Sequence, residues 1–320
     1  LPVAGSADRF ASTIDSVLGA LGLDSASAQA SSDTSFSAGL ALRLYRSIVL
    51  TPKEIDELVD RLSLNVRQRA VVFSGKAMQI ERTETGWGVD VVTPSGVNRL
   101  LANAVFYAAG RVSDGMLIEA GAVPTEAKGL DVGVRLEFES KLALHELRKF
   151  GPDAKAMDRE CRTFCMNSPG SIYRYESKGL SIPGGVVAEG EVETGNVGIL
   201  LRSPRKEVLL NQVTRVAMEY KDRILEESNR WQIGEMASTE LLISLYGQLS
   251  SQTLCDFVNQ LGRFGLLDLR TAYRVHLPLV DWHWNTFAVG ASHKTSLDNV
   301  YAIGDSSGHA RGLLQACMSG

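Results

Sequence analysis

The chain has 320 residues, 44% of them hydrophobic and 22% charged, which is ordinary globular composition. That length fits about two domains and a sizeable core. A net charge of −4 and the lack of any long like-charge block argue against nucleic acid as a partner, and no apolar run approaches the roughly 18 residues that cross a bilayer.

The opening Leu1-Pro2-Val3-Ala4-Gly5 is neither a basic-then-apolar signal peptide nor an Arg-rich transit peptide. With no initiator Met, it reads as a processed or clipped chain. A cytoplasmic location, or the stroma or matrix of an organelle, is the expectation. The four cysteines, Cys161, Cys165, Cys255 and Cys317, are too few and too irregular for a disulfide framework. No Cys/His pairing has structural zinc spacing, so no metal is expected.

Arg9 to Leu21 carries a weak helical pattern, and residues 24–38 form a Ser/Ala-rich linker. Thr51-Pro52-Lys53-Glu54 has the signs of a helix start: a capping Thr, a Pro at the first helical position and a Glu that reaches back. Ile55, Leu58, Val59 and Leu62 then recur at helical spacing, predicting a helix over about 52–63. From 69 to 109 the period becomes strand-like. Val71-Val72-Phe73 is a short apolar run, and Trp87, Val89 and Val91 alternate with small or polar residues. Gly86 and Pro94-Ser95-Gly96 are turn signals, so an antiparallel meander is predicted. Ala104 to Ala109 reads as a buried, parallel-type strand that runs into Gly110-Arg111.

Residues 160–200 hold further strands, among them Ser181–Gly185 and Gly195–Leu201. Leu209–Leu225 predicts a long helix with Val213, Val216, Ala217, Tyr220 and Ile224 on one face. Shorter helices are expected over Thr239–Leu249 and Ser251–Leu261.

The most specific feature is the C-terminal block. Val300-Tyr301-Ala302-Ile303 is an apolar strand that delivers Gly304-Asp305 just past its carboxyl end. In an open α/β sheet that edge is where ligands bind. A carboxylate there can accept hydrogen bonds from sugar or ribityl hydroxyls. A glycine-led helix begins at Gly312, and its free N–H groups favour an electron-rich or anionic group. Gly308 and Gly312 permit close backbone approach.

This block resembles the second FAD motif of two-dinucleotide-domain flavoproteins, and Val105-Phe106-Tyr107-Ala108-Ala109-Gly110-Arg111 resembles their crossover motif. Arg162-Thr163-Phe164-Cys165-Met166-Asn167-Ser168-Pro169-Gly170 is similar to the R-T-F-C-M-C-P-G-G segment of an uncharacterised FAD-dependent dehydrogenase family of bacteria and plastids. Gly195 to Leu201 matches a later segment of that family. The resemblance covers nearly the whole chain from about residue 40.

It implies an α/β fold: a split Rossmann-like FAD-binding domain (1–110 and 275–320) around an inserted α+β domain (111–274) that carries the substrate or partner surface. It also implies an FAD-dependent oxidoreductase. The electron donor would be NAD(P)H or another small molecule. Asp305, after Gly304, would bond the ribityl chain. The amides of Gly312, Leu313 and Leu314 would face the pyrimidine end of the ring system. Ala109 and Gly110 would lie near the diphosphate, and Val72, in a strand with Val71 and Phe73, would touch the adenine side.

Two departures from the family pattern stand out. No GxGxxG is present, although the family uses one for the FAD pyrophosphate, and the chain stops where its last helix should continue. Both ends therefore read as trimmed. Asn167 stands where the family has a second cysteine. These departures motivate the alternative: a flavoprotein-derived, non-catalytic scaffold that no longer binds FAD and works through a protein partner.

Several residues keep two readings. Asp305 is a cofactor ligand or a turn acid, and Gly110-Arg111 a cofactor contact or an ordinary turn. Cys165 is a reactive thiol with Arg162 as an electropositive neighbour, or a packing residue, the commoner role for a lone cysteine. His309 is an acid/base near the flavin or a solvent-facing loop residue. Asp281-Trp282-His283-Trp284 lines a pocket or packs on the sheet.

Overall fold

The computed structural model describes residues 15–23, 34–35, 39–44, 48–111, 114–125, 129–177, 179–203, 206–221, 240–290, 292–308 and 316. In chain order it begins with a helix over residues 15–21 (α1), strands β1 (Thr34–Ser35) and β2 (Ala41–Arg43), and helix α2 (Pro52–Arg67). Strands β3 (Lys76–Arg82), β4 (Trp87–Thr93), β5 (Gly96–Ala102) and β6 (Val105–Tyr107), helix α3 (Asp114–Glu119) and strand β7 (Pro124–Thr125) follow. The middle holds β8 (Leu130–Phe138), α4 (His145–Arg148), β9 (Lys155–Met157), β10 (Cys161–Asn167), β11 (Gly170–Ser177), β12 (Leu180–Val187) and β13 (Gly195–Ser203). The rest is α5 (Lys206–Glu219), α6 (Glu240–Tyr246), α7 (Gln248–Arg263), β14 (Tyr273–Asp281), β15 (Thr286–Phe287) and β16 (Val300–Ala302). Helices thus combine with mainly antiparallel sheets.

The predicted helix start is present in full. Thr51 N donates to Glu54 Oε2 at 2.7 Å, and Glu54 N donates back to Thr51 Oγ1 at 3.3 Å. These hydrogen bonds from Thr51 hold the Glu54 carboxyl below its ordinary range.

Two units divide the chain. The first draws on residues 1–25, 58–128 and 284–320, and the second on 26–57 and 129–283. The sequence reading places the corresponding boundaries after 110 and after 274. Strand β14 pairs with β8 from Tyr273 to Asp281, which keeps that strand in the second unit.

The second unit is built on an antiparallel seven-stranded sheet, ordered β1-β2-β9-β10-β13-β8-β14. Strand β8 explains its two faces. Leu130, Val132, Val134, Leu136 and Phe138 alternate with Asp131, Gly133, Arg135 and Glu137, so one face is apolar and the other polar. The apolar side chains join the core with Val197, Ile199 and Leu201 of β13 and Leu254, Cys255, Val258 and Leu261 of α7. Val213, Val216 and Ala217 of α5 are buried in the same core, as their spacing predicts. The β11–β12 hairpin is bonded to the polar face, through Arg135 to Pro183 O and Asn196 to Ser171 O.

The first unit holds the β3-β4-β5 meander, the short antiparallel pair β7·β15 and the parallel pair β6·β16. Its core gathers Ile80, Trp87, Tyr107, Leu117, Phe287, Val300 and Ala302. Trp87 is buried, and its indole N–H donates to Asp298 O at 2.9 Å, so the meander is tied to the turn before β16.

One predicted strand does not form. Val71-Val72-Phe73 is unpaired and largely exposed, Val71 at 81%. A strand needs a neighbour for its backbone groups, and this run has no ladder partner among the described residues. It serves as the extended link between α2 and β3.

Candidate functional site

Strands β6 and β16 pair in parallel, Val300 opposite Val105 and Ala302 opposite Tyr107. Both strands therefore end at the same edge. This brings together two sequence blocks almost 200 residues apart: Ser306 Oγ donates to Gly110 O at 3.2 Å, across a separation of 196 residues. Ile303 N also donates to Tyr107 O, extending the ladder past β16.

Beyond that edge the chain turns through Gly304 (φ 64°) and Gly308 (φ 67°), both in the left-handed region that glycine adopts without a steric penalty. Gly110 has the same geometry, with φ 65°. Among the described residues, a Cβ at Gly110 or Gly304 would meet nothing within 4 Å. Residues Gly304–Ser307 make one 3-10 turn, with Gly308 N donating to Asp305 O at 3.2 Å.

Three side chains meet there. The Arg111 Nε lies 3.7 Å from Asp305 Oδ2, and its guanidinium sits 4.8 Å from the centroid of the Trp284 ring. Trp284 is fully buried, and its indole N–H donates to Asp305 O at 3.2 Å. One indole thus fixes the acid's backbone and supports the cation. Asp305 keeps 22% of its side chain exposed and Arg111 33%, so both can reach a ligand.

This donor set suits a ligand that is both polyhydroxylated and anionic. The carboxylate accepts from hydroxyls, the guanidinium binds a phosphate, and the glycines admit a flat or bulky group against the backbone. FAD has that chemistry. Gly110, Arg111, Gly304 and Asp305 have side chains and backbone chemically compatible with such a group. Gly312, Leu313, Leu314 and His309 lie outside the described residues. Val72 lies on the exposed link after α2, in no strand.

Cys165 belongs to the second unit, in strand β10. The pairing of β10 with β13 shifts register between Phe164 and Asn167, and Cys165 takes φ 47°, a strained value for a side-chain-bearing residue. Its Sγ is 3.8 Å from Gly185 O and 3.7 Å from Asn167 Nδ2. Arg162, the expected cationic neighbour, pairs instead with Asp131 and Asp281. The cation beside Cys165 is Arg135. Its Nη1 donates to Cys165 O at 3.0 Å and to Asn196 Oδ1 at 2.7 Å, and its Nε to Pro183 O at 3.2 Å. Asn167 belongs to the same network, donating to Cys165 O and Asn196 Oδ1, both at 3.1 Å. A Cβ on Gly185 would run into Asn196, Arg135 and Asn167, so glycine is required there.

Cys161 and Cys255 are buried and form no disulfide, and Cys317 lies outside the described residues. Burial pushes the Cys161 thiol far up and the Cys255 thiol up to about 11. Asp281, Trp282, His283 and Trp284 are all buried, and Trp284 is the one that meets Arg111 and Asp305. Among the described residues no group of three metal-ligating side chains forms, and no helix is long and apolar enough to cross a membrane.

His276 Nε2 and Glu137 Oε2 meet at 2.9 Å on the polar face. The hydrogen bond to His276, with a further contribution from Arg274, holds the Glu137 carboxyl below its ordinary 4.5 despite partial burial. A lowered folded value means the group stabilises the fold above its unfolded value and loses that contribution as pH falls through the folded one. The acid limb of the stability curve, measured by denaturant titration below pH 4.5, should therefore be flatter in Glu137→Gln than in the parent. Identical limbs would show that this pair is not coupled to folding.

No protein-family model matches the chain, and no characterised protein sequence matches it significantly. Among solved structures, it is similar to aklavinone-11 hydroxylase with FAD and aklavinone (12% identity, TM-score 0.33, covering 78% of this chain and 36% of that one). It is also similar to the flavin-dependent monooxygenase PieE in complex with FAD and substrate (13%, 0.32, 80% and 36%) and to tetracycline destructase Tet(51) (12%, 0.28, 79% and 49%). The chain spans less than half the length of these structures, and similarities this distant fix neither fold nor function.

Proposed function

We propose that this chain forms much of an FAD-dependent oxidoreductase. Its first unit is read as a split Rossmann-like FAD-binding domain and its second as the inserted domain carrying the substrate or partner surface. The observation that carries the reading is the parallel β6·β16 pair, which sets Gly110-Arg111 beside Gly304-Asp305 at one carboxyl edge. That edge is where open α/β sheets bind nucleotides. Asp305 accepts ribityl hydroxyls there, Ala109 and Gly110 approach the diphosphate, and the segment with Gly312, Leu313 and Leu314 supplies amides to the ring system. A bound flavin provides two-electron redox chemistry, while the protein's share is to bind and orient it. NAD(P)H or another small reductant serves as donor.

The test is flavin binding. Titrating the protein with FAD should produce a perturbed flavin band between about 300 and 550 nm. Asp305→Ala should weaken FAD binding about 10- to 100-fold, as expected for losing one or two hydrogen bonds to a charged acceptor. A protein that leaves the FAD spectrum unchanged at high concentration would discard this reading in favour of a non-catalytic scaffold with a protein partner.

A further inference from the structure

Resting on that reading, we propose that Arg111 recognises the phosphate arm of the ligand and that Asp305 is its internal competitor. Four observations in the first unit lead there. Arg111 follows Gly110 directly at the carboxyl end of β6, on the edge shared with β16. Its guanidinium lies over Trp284, 4.8 Å from the ring centroid, and that ring is fully buried and bonded to Asp305 O. Its approach to Asp305 is 3.7 Å through Nε, an ion-pair contact longer than a hydrogen bond. A third of the side chain stays open to solvent.

A guanidinium is a planar fork of N–H donors whose geometry matches the oxygens of a phosphate. Bidentate Arg–phosphate bonds are stronger than a long contact to an exposed carboxylate. A phosphate-bearing ligand therefore draws Arg111 off Asp305. The freed carboxylate then accepts the ligand's hydroxyls. The two residues divide one ligand between them, and the phosphate strengthens binding at both.

Three ligands separate the roles: FAD, which carries the diphosphate, FMN, with one phosphate, and riboflavin, with none. Binding is read by quenching of flavin fluorescence in the parent and in Arg111→Gln. The variant should bind FAD at least about tenfold more weakly. It should bind riboflavin as well as the parent or better, because Asp305 has lost its competing cation. The FAD affinity of the parent should also fall more steeply with added salt than that of the variant.

Equal losses for FAD and riboflavin would make Arg111 a purely structural residue and overturn the proposal. So would unchanged FAD binding. A preference restricted to FMN would assign Arg111 to a terminal phosphate and overturn its role at the diphosphate. A parent protein that binds none of the three would instead overturn the flavin reading, and the inference with it. Thermal melting of Arg111→Gln, expected to match the parent within a few degrees, separates lost binding from lost folding.

Discussion

Arg135→Ala is expected to lower the unfolding free energy by about 3–5 kcal/mol. Arg135 is 1% exposed on the polar face of β8, the strand next to the β14 edge of the seven-stranded sheet, and its three hydrogen bonds all go to neutral acceptors. Each bond crosses from β8 to a different segment: Pro183 on β12, Cys165 on β10 and Asn196 on β13. Truncation removes the Arg135 bond to Pro183 O and one of the two donors to Cys165 O and Asn196 Oδ1, which keep Asn167 Nδ2, and a buried acceptor left without a donor costs about 1–3 kcal/mol. It also removes the side chain that links the hairpin to the sheet. The measurement is the urea midpoint of unfolding, read with thiol labelling of the native protein. Cys165 should label faster in the variant, since its carbonyl loses one of two donors and the hairpin strand beside its Sγ loses the Pro183 bond. Arg135→Lys should recover only part of the loss, because an ammonium lacks the planar fork that serves three acceptors. A midpoint shift worth less than about 1 kcal/mol would mean the surrounding amides rearrange to replace Arg135.

Tyr246→Phe is expected to cost about 2–3 kcal/mol although it deletes a single oxygen. The Tyr246 hydroxyl is buried, donates to Gly133 O at 2.6 Å and accepts from Leu279 N at 3.2 Å. The pairing of β14 with β8 shifts register between His276 and Leu279, so ordinary ladder bonds are interrupted there. The phenol supplies both missing partners and ties α6 to the irregularity. Burial pushes its pKa up, so it remains a neutral donor across the accessible pH range. Hydrogen exchange at Leu279 is the direct readout: its amide should lose protection in the variant while amides at the far end of β8 keep theirs. Retained protection at Leu279 would show that a rearranged backbone bond takes over.

Some of this protein was legible residue by residue. The capping box at Thr51 and Glu54, the alternating meander strand from Trp87, and the helical faces of α5 and α7 are local patterns, and each formed as expected. Strand β8 carries a strict alternation from Leu130 to Phe138 that a count of period-2 matches would have found, and with it the buried Arg135. Val71-Val72-Phe73 failed because composition describes what a segment can pair with, and pairing depends on a neighbour that local pattern does not supply.

The candidate site divides along the same line. Gly304-Asp305 after an apolar strand, and Gly110-Arg111 after another, are each readable as strand ends that could face a ligand. Their meeting is not readable, because the parallel pairing that aligns them spans nearly two hundred residues. Trp284 was visible only as one of two tryptophans in a four-residue cluster, and its bond to Asp305 and its place beneath Arg111 emerge from packing. The same holds at Cys165: the sequence offered Arg162 as its cation, but Arg162 pairs with Asp131 and Asp281, and Arg135 of β8 bonds the Cys165 carbonyl instead. Local propensity and periodicity thus determined which elements form and where their ends lie. Strand order and register, set by burying one face of each sheet, decided which distant side chains became neighbours.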